Sequence, residues 1–217
     1  MTMNALISKE IDRLKERLLF LGGKVEENYD GAVAAVENRD GALARQVIEA
    51  DNEVDLLEVE LEEECLKILA LYQPVARDLR FIITTLKVNN DLERIDDLSG
   101  SIAEHALFFA DKPQCRLPFD FSRMASLTRR MLKDSLDSLV ELDEEKAVRV
   151  READDAVDDL NRSMYDAARR QILDEPEEVE FVMHAMGMCR AFERIADQTT
   201  NIAEDVIYLI SGQIVRH

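Results

Sequence analysis

The sequence predicts an all-α protein made of two tandem three-helix bundles related by internal duplication. Three observations carry that reading. Only seven glycines and four prolines interrupt 217 residues. Apolar residues recur at three- and four-residue spacing over long stretches, the pattern of helices with one buried face. Segments of the first half also return in the second: EADNEVDLL (49–57) as EADDAVDDL (152–160), ERIDD (93–97) as ERIAD (193–197), and SIAE (101–104) as NIAE (201–204). A helical unit of about 100 residues said twice is a bundle built twice.

The first helix is expected over 4–38, where Leu14, Leu18, Leu21, Val25, Tyr29, Ala32 and Val36 form one stripe, and Asn38-Arg39-Asp40-Gly41 ends it. A second stripe, through Leu43, Val47, Ile48, Val54, Leu57, Leu61, Leu66 and Leu69, runs to about 71. Tyr72-Gln73-Pro74 breaks it, and Pro74 suits the first turn of a third helix reaching about Ala110, because its missing N–H has no partner there. DKPQCRLPFD (111–120) holds two of the four prolines and reads as the joint between domains 1–112 and 113–217. Beyond it the pattern recurs, with helices over about 119–141, from Asp143 to about Leu173, and from Asp174-Glu175-Pro176 to about Ile210. Gly22-Gly23 inside the first helix marks a kink or a close helix approach. The methionines, Cys65, His184 and Cys189 read as packing residues.

Forty-six acidic residues against 27 basic ones give a net charge of −19. Such a surface repels phosphate backbones and anionic headgroups and attracts cations or basic partner surfaces, which argues against nucleic-acid binding. Cys65, Cys115 and Cys189 show no CxxC spacing, against a disulfide framework or a thiolate site and in keeping with a reducing cytoplasm. The first twenty residues lack the basic start and apolar core of a secretion signal, and no apolar run approaches the roughly 18 residues of a membrane span.

Each half carries two acid-x-x-x-acid pairs: Asp51 with Asp55 and Glu93 with Asp97, then Asp154 with Asp158 and Glu193 with Asp197. Residues four apart share a helix face. Asp55 lies about 18 residues before the turn near 73 and Glu93 about 20 after it, so at roughly 1.5 Å per residue both stand at one level of an antiparallel hairpin. The second half repeats the placement about the turn near 175. Carboxylates facing each other across two helices repel, and hard, oxygen-preferring cations remove the repulsion. Glu104 and Glu204 extend the stripes as outer ligands, whereas His105 and His184 lie off them, so the donor set suits Fe, Mn, Mg or Ca more than structural zinc. A second reading stays open, in which the acids form ion pairs with Arg94 and Arg194. No nucleophile–base pair, glycine-rich phosphate loop or basic cleft accompanies them, and the residues alone leave open a metal-dependent oxidase or hydrolase and a metal-free helical adaptor.

LGGKVEENYDGAV (21–33), VIEADNEVD (47–55), QPVARDLR (73–80), the two ERIxD motifs and the ending QIVRH are those of the PhoU family, which the chain resembles over essentially its whole length. The resemblance implies two three-helix bundles whose acidic motifs bind multinuclear metal clusters, iron foremost, with Zn, Mn or Mg as other occupants. It implies no catalysis. The implied role is negative regulation of phosphate uptake and of phosphate-starvation signalling, between a phosphate transporter ATPase subunit and a sensor histidine kinase. The implied place is the cytoplasm, peripheral to the inner membrane through those partners, and a homodimer is common for such proteins. Where the family often has glycine between Ile and Asp, this chain has Asp96 and Ala196. Ala196 keeps the position small, while Asp96 adds a charge, or a further ligand, beside the first site.

Overall fold

The structure, a computed structural model, describes residues 3–212 and is helical throughout apart from short connections. Six long helices follow in order: α1 (Met3–Asn38), α2 (Gly41–Tyr72), α3 (Ala76–Ala110), α4 (Ser122–Glu141), α5 (Glu144–Asp174) and α6 (Val179–Ser211), the last preceded by a single 3₁₀ turn at Pro176–Glu178. The expected ending motif QIVRH lies outside the described residues. Among the described residues no helix is long and apolar enough to cross a membrane.

Helices α1, α2 and α3 pack against one another, as do α4, α5 and α6, and the two bundles join chiefly through α3 against α6 and more lightly through α1 against α4. The duplication is written in the burial pattern. A shift of 103 residues, taken from the EADxxVD motifs, carries buried Ala44, Val47, Val54, Leu61 and Cys65 of α2 onto buried Ala147, Val150, Val157, Met164 and Ala168 of α5. The predicted stripe of α1 is wholly buried, and each of its leucine and valine side chains contributes on the order of 1.5–3 kcal/mol.

The turns repeat as well. Arg39 (φ 52) and Leu142 (φ 53) each take a left-handed conformation, and the next residue caps a helix. Asp40 accepts from the N–H groups of Ala42 and Leu43, and Asp143 from that of Lys146, caps worth about 1 kcal/mol apiece.

Two expectations need correction, and a third resolves to one of its two alternatives. Leu66 is 52% exposed; the buried stripe of α2 passes through Cys65 and Ile68 instead. Pro74 does not open the third helix: Gln73 closes α2 in the left-handed region (φ 48), Val75 is extended, and α3 begins at Ala76. Gly22 is a point of close approach, where an added Cβ would stand 3.0 Å from Leu136 Cδ1 of α4, whereas nothing lies within 4 Å of one on Gly23.

The interface between bundles has its own chemistry. Lys87 of α3 pairs with Asp205 of α6 at 2.6 Å. At the other end His105 Nδ1 meets His184 Nδ1 at 3.0 Å, and Phe108 stacks on the His184 ring with centroids 3.6 Å apart. Burial holds the His105 imidazole neutral, its pKa pushed down to about 4. Tyr29 OH donates to the carbonyl of Ala125 at 2.8 Å and ties α1 to α4.

Candidate metal centre

The acidic pairs come together as their spacing and level require. In the first bundle α2 presents Asp51 and Asp55, and α3 presents Glu93 and Asp97 beside them. Partial burial raises the pKa of Asp51, and the charges of Asp55 and Asp97 raise it further. Glu93 is raised by burial, then by Asp97, Asp55 and Glu58, against the opposing pull of Arg94. The second bundle repeats the arrangement with α5 and α6, where burial raises Glu193 and the charges of Asp197, Asp158 and Asp154 add to it. All eight predicted residues therefore fall into two groups of four, one in each bundle, at the helix pairs expected.

Ion pairs also reach these groups. Asp158 binds Arg162 of its own helix at 3.2 Å in an exposed setting, and Glu204 lies 3.5 Å from Arg151. Glu104 is exposed. Arg94 bears on Glu93 and on buried Asp91 as a charge, and Arg194 is exposed.

Glu58 is not among the predicted ligands, and Asp96 is the residue expected to add a charge or a further ligand beside the first site. Glu58, one turn beyond Asp55, is raised by burial and then by Glu62 and Asp55, and its side-chain oxygen and carbonyl both accept from Asn89 Nδ2 at 3.0 Å. Its acid-x-x-acid spacing from Asp55 was the available signal. Asp96 is 2% exposed. Its Oδ1 accepts from Asn28 Nδ2 at 2.9 Å, and burial first, with the Asp51 carboxylate within hydrogen-bonding reach, pushes its pKa up to about 7.

These residues suit a hard cation by donor set and charge. Every donor is a carboxylate oxygen, and Asp51, Glu93 and Glu193 are raised by burial first and then by the like charges near them, a cost that a bound cation reverses. They do not form a ready-made coordination shell: among the described residues no three His, Cys, Asp or Glu side chains converge tightly enough to enclose an ion as they stand. Loading would draw together flexible carboxylates on rigid helices.

Comparison with known proteins gives the same duplicated unit. The PhoU domain matches residues 18–106 and again 121–206. The phosphate-specific transport system accessory protein PhoU homolog of Aquifex aeolicus is 37% identical, over 96% of this chain and 95% of its own. The accessory protein PhoU of Escherichia coli is 32% identical over 96% of this chain and 86% of its own. The crystal structure of PhoU from Pseudomonas aeruginosa superposes with a TM-score of 0.92 at 32% identity, covering 95% of this chain and 99% of that one. With two matched domains, near full-length identity above thirty per cent and a shared fold, this chain belongs to the PhoU family.

Proposed function

We propose that this protein is a non-catalytic accessory protein of phosphate-specific transport that restrains phosphate uptake and starvation signalling, acting as a metal-binding adaptor between the transporter's ATPase subunit and a sensor histidine kinase. The observation that carries the reading is the pairing of two carboxylate groups of the same design, one in each repeat, in a chain similar over 96% of its length to proteins named for that accessory role.

Asp51, Asp55, Glu93 and Asp97 would hold metal in the first bundle, and Asp154, Asp158, Glu193 and Asp197 in the second. A multinuclear iron centre is the favoured occupant, with Zn, Mn or Mg as alternatives, and it would supply positive charge that cancels the repulsion between α2 and α3 and between α5 and α6. With a net charge of −19, the surface steers basic patches on partner proteins and disfavours nucleic acid. The protein acts in the cytoplasm, reaching the inner membrane through its partners, as a homodimer.

Deletion of the gene, read with a phosphate-responsive promoter reporter in phosphate-rich medium, tests the role. Derepression together with recovery of ATPase or kinase subunits on the tagged protein supports it; unchanged repression with neither partner recovered overturns it. The Asp158–Arg162 pair favours one other reading, a metal-free adaptor, and elemental analysis of protein purified without chelator separates the two.

A further inference from the structure

The two repeats differ at one buried place beside their acidic groups. In the first bundle Asp96 of α3 and Asn28 of α1 are 2% and 8% exposed and bonded to each other at 2.9 Å. The duplication carries Asn28 onto Met131 of α4, 103 residues on, and Asp96 onto Ala196 of α6, 100 residues on; both are buried, at 2% and 0% exposed. One repeat thus fills this position with an amide and a carboxyl, the other with a thioether and a methyl group.

A buried carboxyl needs a partner for each oxygen, because removing an unpaired polar atom from water costs on the order of 1–3 kcal/mol. Asn28 serves Oδ1. No N–H or hydroxyl group among the described residues donates to Oδ2, and the carboxyl has another acid, Asp51, within hydrogen-bonding reach. That oxygen therefore belongs with the acidic group of Asp51, Asp55, Glu93 and Asp97, and two carboxyl groups that face one another are held together by a shared proton or by a cation between them. Apolar Ala196 in the sister repeat shows that the fold does not need a polar group here.

We propose that Asp96 is an additional ligand of the first bundle's cation site, Oδ2 joining Asp51 on the ion while Asn28 fixes the carboxylate through Oδ1, so that the two sites of this chain are unequal and the first binds a hard divalent cation more tightly. The proposal rests on the metal reading above and concerns only how the first site differs from the second.

Mn²⁺ titrated into the chelator-treated full chain, followed by calorimetry and by the paramagnetic signal of free Mn²⁺, provides the test. Wild type should take up Mn²⁺ in two steps of different affinity. Glu193→Ala plus Asp197→Ala should remove the weaker step. In that background Asp96→Asn, which keeps the shape and an oxygen for Asn28, should weaken the remaining step at least about tenfold, given that even outer partners of metal ligands are worth 10–100-fold. Asp96→Ala, which copies the sister repeat, should do the same and bring the two sites of the otherwise wild-type chain to similar affinity. Unaltered affinity in Asp96→Asn would overturn the proposal and leave Asp96 as a proton-sharing partner of Asp51. No uptake by wild type would instead remove the metal reading itself, so the two failures are distinguishable.

Discussion

Lys87 of α3 and Asp205 of α6 meet at 2.6 Å, and their counterparts one hundred residues away in the exchanged repeats, Gly187 and His105, also meet: a Cβ on Gly187 would stand 2.7 Å from His105 Nε2. The same two positions of the duplicated interface thus hold an ion pair at one end and a glycine against an imidazole at the other. Helices α3 and α6 run antiparallel about a local two-fold relation, and divergence has given its two ends different chemistry.

Gly187→Ala is therefore expected to destabilise the protein. The His105 ring cannot swing aside, since His184 holds its Nδ1 and Phe108 backs the His184 ring. Overpacking of this kind costs about 1–3 kcal/mol, more than the roughly 1 kcal/mol that alanine gains over glycine within a helix. Gly100→Ala, where nothing lies within 4 Å of the new methyl, should show only the gain. Urea denaturation of the two variants should move the midpoint in opposite directions.

Asp91 gives a pH-dependent prediction. It is 7% exposed, and burial first, then the neighbouring charge of Asp205, pushes its pKa up to about 7 despite Arg94 and Lys87. An unfolded aspartate titrates near 3.9, so the folded protein holds this proton more tightly. Its stabilising contribution is complete below about pH 4 and is lost as pH rises through about 7. Asp91→Asn, which stays neutral, should therefore be more stable than wild type by about 2–4 kcal/mol at pH 8, with the difference shrinking toward zero at pH 4. Thermal unfolding across that range checks it, and a constant difference would sink it.

How much of this was legible in sequence depends on whether the information is local. The stripe from Leu14 to Val36 is buried throughout because a helix turns at a fixed period, and the four-residue acidic pairs meet because hairpin level follows from residue rise. The start of α3 was misread because the rule for proline speaks of Pro74 alone, whereas Gln73 and Val75 set the turn. The His105–His184 contact was invisible, since it joins two non-equivalent positions of different repeats and depends only on how finished bundles dock. Asp96 stood out as a departure from the motif, yet its bond to Asn28 needs the third helix in place.

Arg39 should prove to be the residue that seats the connection between bundles. From a left-handed turn (φ 52) it donates to the carbonyls of Phe109 at 3.0 Å, Lys112 at 2.8 Å and Cys115 at 2.6 Å, satisfying the end of α3 and the start of the linker together. Asn tolerates this backbone conformation but lacks the fork. Arg39→Asn should cost about 2 kcal/mol and speed protease cleavage within 111–120. Arg39→Lys should recover little, because an ammonium cannot span three carbonyls with the guanidinium's geometry.

The carboxylate groups themselves should make the metal-free protein less stable than a variant lacking them. Burial and like charges raise Asp51, Glu93 and Glu193 above ordinary carboxylate values, so protonation favours the folded state and stability falls as pH rises through those raised values. After chelation at pH 7.5, Glu193→Ala plus Asp197→Ala should melt at or above wild type, since it relieves the repulsion on α6. Adding Mn²⁺ or Fe²⁺ should reverse the order: a ligand at a hundred times its Kd adds about 2.7 kcal/mol to the form that binds it, and wild type has more carboxylates to offer. Melting curves with and without metal check both halves. A variant that melts below wild type in chelator, and gains as much from the cation, would mean that Glu193 and Asp197 serve as ordinary ion-pair partners.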